Sequence, residues 1–133
     1  MKQLCEEQFG KQGEEKPSLH FVHGNATKMP FKTDMFDVVI DKGTTDSVLK
    51  FEDRTQAYLM ARKIQNEALR ITSRSGVYIQ ITDEDPELRL DLLRDNTIQD
   101  SLDRSSDFSV SYRQISDEEH WQHFMYVLSF HDP

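Results

Sequence analysis

The chain has 133 residues, of which 36% are hydrophobic and 30% are charged, and this composition is typical of a single soluble globular domain. The formal net charge of −8 argues against a nucleic-acid backbone or an anionic membrane surface as a partner, and it mildly favours a basic partner such as one that presents lysine. The single cysteine, Cys5, cannot form an internal disulfide, which is typical of a reducing compartment. No apolar run approaches the length of a membrane span, and the sequence after Met1 has neither a signal-peptide nor a transit-peptide pattern.

The N-terminal part of the chain predicts a helix, a loop and a short strand. Residues 1–9 carry apolar side chains at helical spacing, and because no capping residue precedes them we expect the sequence to begin within a helix. A polar loop over residues 10–18 is expected to lead to a strand at Leu19–Val22. An irregular connection over residues 23–33 follows.

The stretch Phe36–Ile40 is rich in β-branched apolar side chains and predicts a strand that is buried on both faces, as in the middle of a parallel sheet. A polar cluster, Asp41–Asp46, follows where this strand ends. Because ligands of open α/β sheets bind outside the carboxyl ends of the strands, this cluster lies where a site is expected. The alternative is that Asp41, Lys42 and Gly43 form only a solvated turn.

A helix and a second strand complete a strand–helix–strand unit. Asp53 is expected to cap the helix, while Arg62 and Glu67 fall mostly off its apolar stripe. The stripe itself consists of alanines and isoleucines: Ala57, Ala61, Ile64, Ala68 and Ile71. A turn at residues 73–76 is expected to lead into a strand at residues 77–81, and such a unit has parallel strands with a right-handed connection.

The C-terminal part predicts one more helix and two strands. Asp85 is a good N-terminal cap because Pro86 follows at the first helical position. The apolar face of this helix is expected to consist of leucines: Leu88, Leu92 and Leu93. After a polar loop at residues 96–107, strands at residues 108–115 and 122–130 are close enough along the chain to form an antiparallel pair.

Several kinds of active site are not encoded by this sequence. A nucleophilic hydrolase needs a serine on a sharp Gly-x-Ser-x-Gly turn or a cysteine paired with histidine, and neither is placed for it. His20 and His23, like His120 and His123, lie three residues apart on predicted strands, so their rings point to opposite faces and a zinc site is not expected. The glycines form no phosphate-binding loop. What remains is a set of polar side chains at strand ends: Asn25, Asp41, Lys42, Asp46, Asp83 and Glu84.

Three separated segments around these residues resemble one known family. The segments Leu19–Ala26, Phe36–Asp46 and Ile79–Pro86 are similar to the seven-strand, S-adenosylmethionine-dependent methyltransferases of the methyltransferase-like group. The acidic segment Asp83–Pro86, together with the loop Asp41–Thr44, is most similar to the enzymes that methylate a lysine of mitochondrial citrate synthase. Related enzymes that methylate lysines of a translation elongation factor share that loop, so an elongation factor is an alternative substrate.

The resemblance implies a role for each matching residue. Asn25 and Ala26 occupy the positions that contact the adenine of S-adenosylmethionine, although the family has aspartate in place of Asn25. Asp41 and Lys42 would face the methionine end of the cofactor, and Asp41 and Asp46 are the candidate catalytic residues. The entrance for the substrate lysine would be bordered by further polar residues: Thr44, Asp83, Glu84 and Asp85. The resemblance implies no metal ion.

The resemblance also implies the fold class, which is α/β, with the carboxyl-terminal part of a Rossmann-like sheet whose parallel strands end in an antiparallel hairpin. Residues 1–133 would be a single partial methyltransferase domain, truncated before Met1, that lacks the first two strands and the Gly-rich cofactor turn. The Phe36–Ile40 strand would then lie at an edge of the sheet. Because an unpaired edge invites pairing with another chain, we expect the chain either to self-associate through this strand or to be only partly folded.

The resulting function hypothesis is an S-adenosylmethionine-dependent protein-lysine N-methyltransferase that acts on citrate synthase in the mitochondrial matrix, with the cytoplasm as the alternative compartment. A hypothesis of a different class is a catalytically inactive interaction or regulatory module that keeps the sheet but not the cofactor. Under the first hypothesis Asp41 serves activity rather than stability. Replacing it by asparagine is therefore expected to cost little folding energy, since it lies at the end of a strand.

Overall fold

The computed structural model describes residues 17–94, 108–118 and 121–130. The helix predicted at residues 1–9, most of the loop predicted at residues 10–18 and the loop predicted at residues 96–107 lie outside the described residues. The described part contains four strands and three helices. In chain order they are β1 (Phe36–Lys42), α1 (Thr44–Val48), α2 (Arg54–Ile71), β2 (Thr72–Thr82), α3 (Pro86–Arg94), β3 (Phe108–Glu118) and β4 (Trp121–Phe130).

The four strands form one mixed sheet with the order β1-β2-β4-β3. Strands β1 and β2 are parallel, with Val39 opposite Tyr78, and α2 connects them. Strand β4 is antiparallel to both β2 and β3. The predicted α/β class, with parallel strands followed by an antiparallel hairpin, is therefore confirmed.

The strand predicted at Leu19–Val22 is not formed, and this prediction is wrong. Residues 17–24 have no regular secondary structure, and the side chains of Phe21 and Val22 are 51% and 58% exposed. A strand needs hydrogen bonds to a neighbour, and within the described residues this segment has no strand beside it. Among the described strands, β1 accordingly lies at the edge of the sheet, as predicted. The prediction that this strand is buried on both faces is wrong, because Val38 and Ile40 are more than half exposed.

Helix α2 begins as the sequence predicts and is buried more deeply than predicted. The Asp53 carboxylate accepts a hydrogen bond from the Gln56 amide at 3.1 Å, and the predicted apolar stripe is buried. Arg62 and Glu67 were expected mostly off the stripe, yet both are buried as well. For Arg62 the cause is the carboxyl end of α3, which packs against this flank of α2, and Arg62 donates to the Leu92 carbonyl at 3.0 Å.

The predicted turn at residues 73–76 is instead part of β2. The register shifts here, because Phe36 lies opposite Thr72 whereas Val38 lies opposite Val77. The backbone of β2 passes so close to β1 that a Cβ atom on Gly76 would lie 2.3 Å from the Asp37 carbonyl oxygen. Glycine therefore permits an irregularity within the strand, where the sequence alone predicted a turn.

Helices α2 and α3 supply the side chains that pack against one face of the sheet. The central core is formed by Ala68 and Leu69 of α2, Leu93 of α3, and alternate residues of β2 and β4. Those residues are Tyr78, Phe124, Tyr126, Leu128 and Phe130. Leu88 was predicted on the apolar face of α3 but is 64% exposed, because this first turn of the helix projects beyond the sheet and lines a groove.

The opposite face of the sheet carries apolar side chains that are much less covered. Register places Val38 beside Val77, Ile40 beside Ile79, and Ile79 beside Val127 on this side. Val38 and Ile40 are 53% and 60% exposed, and the other three residues are half-buried. We call these five residues the open face. Among the described helices, none is long and apolar enough to cross a membrane.

Candidate functional site

Asp41 is the second-last residue of β1, and its carboxylate binds the first residues of α1. Its carboxylate accepts hydrogen bonds from the Thr44 amide at 3.0 Å and from the Thr45 amide at 3.3 Å. The Thr45 hydroxyl and the Tyr78 hydroxyl also donate to it, the latter at 3.2 Å. The chain can turn this sharply because Gly43 adopts a left-handed conformation, with φ at 91°.

This arrangement changes what is expected of Asp41. Its side chain is buried, and both carboxylate oxygens are engaged by donors of the protein itself. The replacement by asparagine, which was expected to cost little folding energy, must disturb this set of bonds. Burial, followed by the Asp41 charge, also raises the pKa of Tyr78 far above its usual range, so that its hydroxyl remains a donor.

Arg89 forms the centre of a second polar cluster at the carboxyl end of β2. It is 1% exposed, and its guanidinium donates to Glu84 Oε1 at 2.8 Å and to Gln80 Oε1 at 2.7 Å. It also donates to Asp46 Oδ1 and, at 3.3 Å, to the Thr82 hydroxyl. Two of the predicted site residues, Asp46 and Glu84, are thus brought together by an arginine.

Hydrogen bonds from neighbouring residues hold this cluster in place. The Thr82 hydroxyl donates to Asp46 Oδ1 at 2.9 Å, and the Tyr126 hydroxyl donates to the Glu84 carbonyl at 2.8 Å. Burial lowers the pKa of Arg89, but the charges of Glu84 and Asp46 outweigh it and the net pKa is raised. Burial likewise raises the pKa of Tyr126 to about 12. Arg89 is therefore a permanent cation, and Asp46 and Glu84 are its counterions.

The two carboxylates form part of the wall of an open groove of about 540 Å³. Its lining combines carboxylates, two basic side chains, a tyrosine and leucines: Asp46, Leu49, Lys50, Arg54, Tyr58, Asp83, Glu84, Leu88, Asp91 and Leu92. A groove that is lined by both leucines and carboxylates suits a long aliphatic side chain with a positive end, such as lysine.

The remaining residues predicted near the lysine entrance have different surroundings. Asp83 lines the groove and is exposed. Asp85 is exposed and accepts a hydrogen bond from the Leu88 amide at 3.4 Å, so it caps α3 as predicted. Lys42 and Thr44 are both exposed beside the buried Asp41. The structure thus brings Asp46, Asp83 and Glu84 into one groove.

The residues predicted to contact adenine lie elsewhere, in a second cavity of about 250 Å³. Asn25 and Ala26 line it together with largely apolar neighbours that include Val22, Met29 and Phe31. The Asn25 side-chain oxygen accepts from the Thr27 amide at 2.9 Å and from the Thr27 hydroxyl at 2.7 Å. Asn25 therefore uses the oxygen that was predicted to bind adenine to hold its own turn.

One ion pair fastens this loop to α2. Glu67 accepts from the Met29 amide at 2.5 Å and is paired with Arg70, which also donates to the Met29 carbonyl at 3.2 Å. Burial raises the pKa of Glu67, but its bonds with Arg70 and Met29 outweigh burial and lower the net pKa. The buried position of Glu67 follows from this contact.

Sequence reasoning missed the residues that organise the groove. Arg89 was given no role, and neither were Gln80, Tyr78 and Thr45. A signal for Arg89 existed, because it lies three and four residues before the buried Leu92 and Leu93 and therefore on the apolar stripe of α3. A cation on such a stripe needs buried acceptors. The described residues include no group of three or more His, Cys, Asp or Glu side chains that could hold a metal ion.

Comparison with known proteins provides independent evidence. No protein-family model matches the chain. The mitochondrial citrate synthase-lysine N-methyltransferase of Danio rerio is 33% identical over 75 residues, which are 55% of this chain and 28% of that protein. The Homo sapiens and Pongo abelii proteins of the same name are each 35% identical over 83 residues, or 61% of this chain and 32% of theirs. The resemblance to the class I methyltransferases is confirmed.

A solved structure shares the fold of this chain. The crystal structure of the PH0226 protein from Pyrococcus horikoshii OT3 matches with a TM-score of 0.51 and 21% sequence identity, over 85% of this chain and 60% of that chain. At this identity the match bears on the fold alone. The aligned parts span about a third of the length of the curated methyltransferases, so the activity of those whole proteins does not pass directly to this chain.

Proposed function

We propose that the chain provides the substrate-binding part of a protein-lysine N-methyltransferase whose substrate is citrate synthase. The relatives carry that activity in their names. The observation that carries the proposal is the groove, where Asp46 and Glu84 are presented by a buried arginine beside an apolar wall. These names also favour the mitochondrial matrix as the compartment, with the cytoplasm as the alternative.

The chemistry of methyl transfer explains why such a groove is useful. Transfer to an amine needs the neutral amine in line with the methyl carbon, yet free lysine has a pKa of about 10.4 and arrives as ammonium. The carboxylates that line the groove attract that ammonium, and its leucines accommodate the methylene stem. The amine then has to lose its proton, and no described residue is assigned as the base.

S-adenosylmethionine is the methyl donor that the resemblance implies, and the described residues fit it only in part. The apolar side chains around Ala26 suit an adenine ring. The Asn25 oxygen is used by Thr27, and the Asp41 carboxylate is used by α1, so neither is directed at a cofactor. The other contacts with the cofactor must come from outside the described residues. We therefore assign the lysine groove to the described residues, and the transfer step also requires residues outside them.

Methyl transfer tests this function directly. The full chain is incubated with methyl-labelled S-adenosylmethionine and with citrate synthase or a translation elongation factor, and the products are analysed by mass spectrometry. We expect a methylated lysine on citrate synthase, and loss of that product when Asp46 is replaced by asparagine. Methylation of the elongation factor alone would change the substrate, and no methylation of either protein would contradict the enzymatic proposal.

The second candidate function is an interaction module without catalysis. Its supporting observation is the edge strand β1, whose Val38 and Ile40 are more than half exposed, beside an Asp41 whose acceptors are all in use. Pairing of two such edges would give self-association. Sedimentation at increasing concentration tests this, with Ile40→Lys as the disrupting variant and Asp37→Lys, on the same strand, as the control. A monomer at every concentration would refute self-association.

A further inference from the structure

One buried cation and two partly exposed carboxylates form a charge cluster that we call the triad: Arg89, Asp46 and Glu84. The Arg89 side chain is 1% exposed, whereas the side chains of Asp46 and Glu84 are 27% and 29% exposed. The arginine therefore cannot touch a ligand in the groove, but the two carboxylates can. The triad carries two negative charges and one positive charge, which leaves a net charge of −1 facing the groove.

The hydrogen bonds of the triad divide each carboxylate into an inner and an outer oxygen. Arg89 binds Asp46 Oδ1 and Glu84 Oε1, and the Thr82 hydroxyl donates to the same Asp46 oxygen. Among the described residues, no donor is found for Asp46 Oδ2 or Glu84 Oε2. Because a planar guanidinium fixes the direction of both inner oxygens, the two outer oxygens are held in fixed positions as acceptors.

The rest of the groove limits what these acceptors can bind. Leu49, Tyr58 and Leu92 supply an apolar wall next to the triad. Arg54 also lines the groove, but its guanidinium donates to the Leu49 carbonyl at 2.5 Å. A ligand that matches this surface has a short aliphatic stem and a single positive group with several donors, which describes a primary ammonium better than a planar guanidinium.

We propose that Arg89 is a positioning residue, which makes the triad a receptor for one primary ammonium on an aliphatic chain. The identity of that ligand as a substrate lysine rests on the proposed function, whereas the binding itself does not. By neutralising one carboxylate charge, Arg89 limits the site to one cation. By binding one oxygen of each carboxylate, it orients the other oxygen of each toward that cation.

Variants that replace one carboxylate by an amide of the same shape test whether the negative charges of the triad bind the ligand. The full chain is titrated by calorimetry with a short peptide that carries one lysine and with the same peptide carrying norleucine, in the absence of any cofactor. We expect the lysine peptide to bind more tightly, and Asp46→Asn and Glu84→Gln each to weaken it about tenfold, as loss of one charged hydrogen bond does. The double variant leaves a net positive triad and is expected to abolish the preference for lysine.

The matched control is Asp91→Asn, which removes a carboxylate from the same groove. We expect it to weaken lysine-peptide binding less than twofold. A loss as large as that of Asp46→Asn would show that general negative charge attracts the peptide, and it would overturn the proposal.

Arg89→Lys then tests orientation separately from charge. Lysine keeps the positive charge but cannot bind two carboxylates in one plane, so we expect the preference for lysine over norleucine to fall about fivefold. If Arg89 had only a structural role, the variant would lower stability and leave that preference unchanged in the folded protein. If the variants weaken binding of the lysine peptide as expected but the chain methylates no protein, the proposed function is refuted and the role of the triad stands. If the chain methylates its substrate and these variants do not change that activity, the role of the triad is refuted and the proposed function stands.

Discussion

The groove at Arg89 and the cavity at Asn25 were predicted to be two sides of one site, yet they are stabilised in different ways. In the groove, hydrogen bonds join residues far apart in sequence, such as Asp46 with Arg89 and Tyr126 with Glu84. At the cavity, the hydrogen bonds of Asn25 within the described part of the chain reach no further than Thr27 and Lys28. The groove is therefore part of the folded core, whereas the cavity is formed by a local turn that the Glu67–Arg70 ion pair attaches to α2.

The energetic consequence is that the same kind of substitution has different costs in the two regions. Removing a partner in the groove leaves a buried charge or a buried polar group without compensation, which is among the most costly changes in a protein. Removing a side chain from the Asn25 turn exposes groups that water can reach and satisfy.

The largest effect is expected for Arg89→Met. This change leaves the Glu84 and Asp46 carboxylates and the Gln80 amide without their shared donor, so we expect the free energy of unfolding to fall by about 3–5 kcal/mol in urea denaturation. Arg94→Met, an exposed arginine of the same helix, is the control and should cost less than about 0.5 kcal/mol. Equal losses of the free energy of unfolding for the two variants would show that the Arg89 cluster contributes no more to stability than an exposed residue does.

A smaller loss is expected for Asp41→Asn. The amide oxygen can still accept from the Thr44 and Thr45 backbone amides, but its NH₂ group then faces the hydroxyl groups of Thr45 and Tyr78, which donate to the carboxylate in the native protein. We expect a cost of about 2 kcal/mol. Asp37→Asn, on the exposed part of the same strand, is the matched control. An unchanged midpoint for the Asp41 variant would restore the view that this residue serves activity alone.

The ion pair that fastens the Asn25 loop to α2 can be tested by changing the pH. The pKa of Glu67 is lowered in the folded protein, so its contribution is complete above the ordinary value of 4.5 and is lost as the pH falls through the folded value. We expect the native protein to lose about 1 kcal/mol of stability below pH 4.5 that Glu67→Gln does not lose over the same range. Parallel pH profiles for the two proteins would show that Glu67 does not fasten the loop electrostatically.

The smallest effect is expected at the cavity itself. Asn25→Ala removes the two bonds to Thr27 and should lower the free energy of unfolding by only about 0.5 kcal/mol, because the turn is exposed. Asn25→Asp keeps the acceptor oxygen and is expected to have no measurable effect on thermal denaturation. A loss of 2 kcal/mol or more for the alanine variant, about what a buried bond costs, would contradict the contrast between the two regions.

The sequence predicted those parts of the fold that local patterns determine. Apolar runs gave β1, β2 and β4, and Asp53 and Asp85 marked the beginnings of helices. The strand at Leu19–Val22 was predicted from its side chains alone and failed, since a strand exists only beside a partner. The bulge at Gly76 failed as a prediction for a similar reason, because it depends on how closely β1 approaches.

The sequence predicted which carboxylates belong to the candidate site but not the hydrogen bonds that connect them. Asp46, Asp83 and Glu84 were named from their positions after strands, and they do line one groove. Their common partner Arg89 comes from a different element, and no spacing rule links it to Asp46 across 43 positions of sequence. Asp41 shows the converse case, because a polar residue at a strand end was expected to face a ligand and instead caps its own following helix.

The open face of the sheet should give binding a measurable change in heat capacity. Val38, Ile40, Val77, Ile79 and Val127 present apolar surface to water on the side opposite the core. Removing such surface from water gives a negative change in heat capacity, even where the enthalpy near 25 °C is close to zero. A molecule that covers this face will therefore be detected by a binding enthalpy that becomes more negative with rising temperature. An ammonium bound in the groove covers little apolar surface and gives only a weak temperature dependence, so calorimetry at several temperatures separates the two surfaces without any substitution.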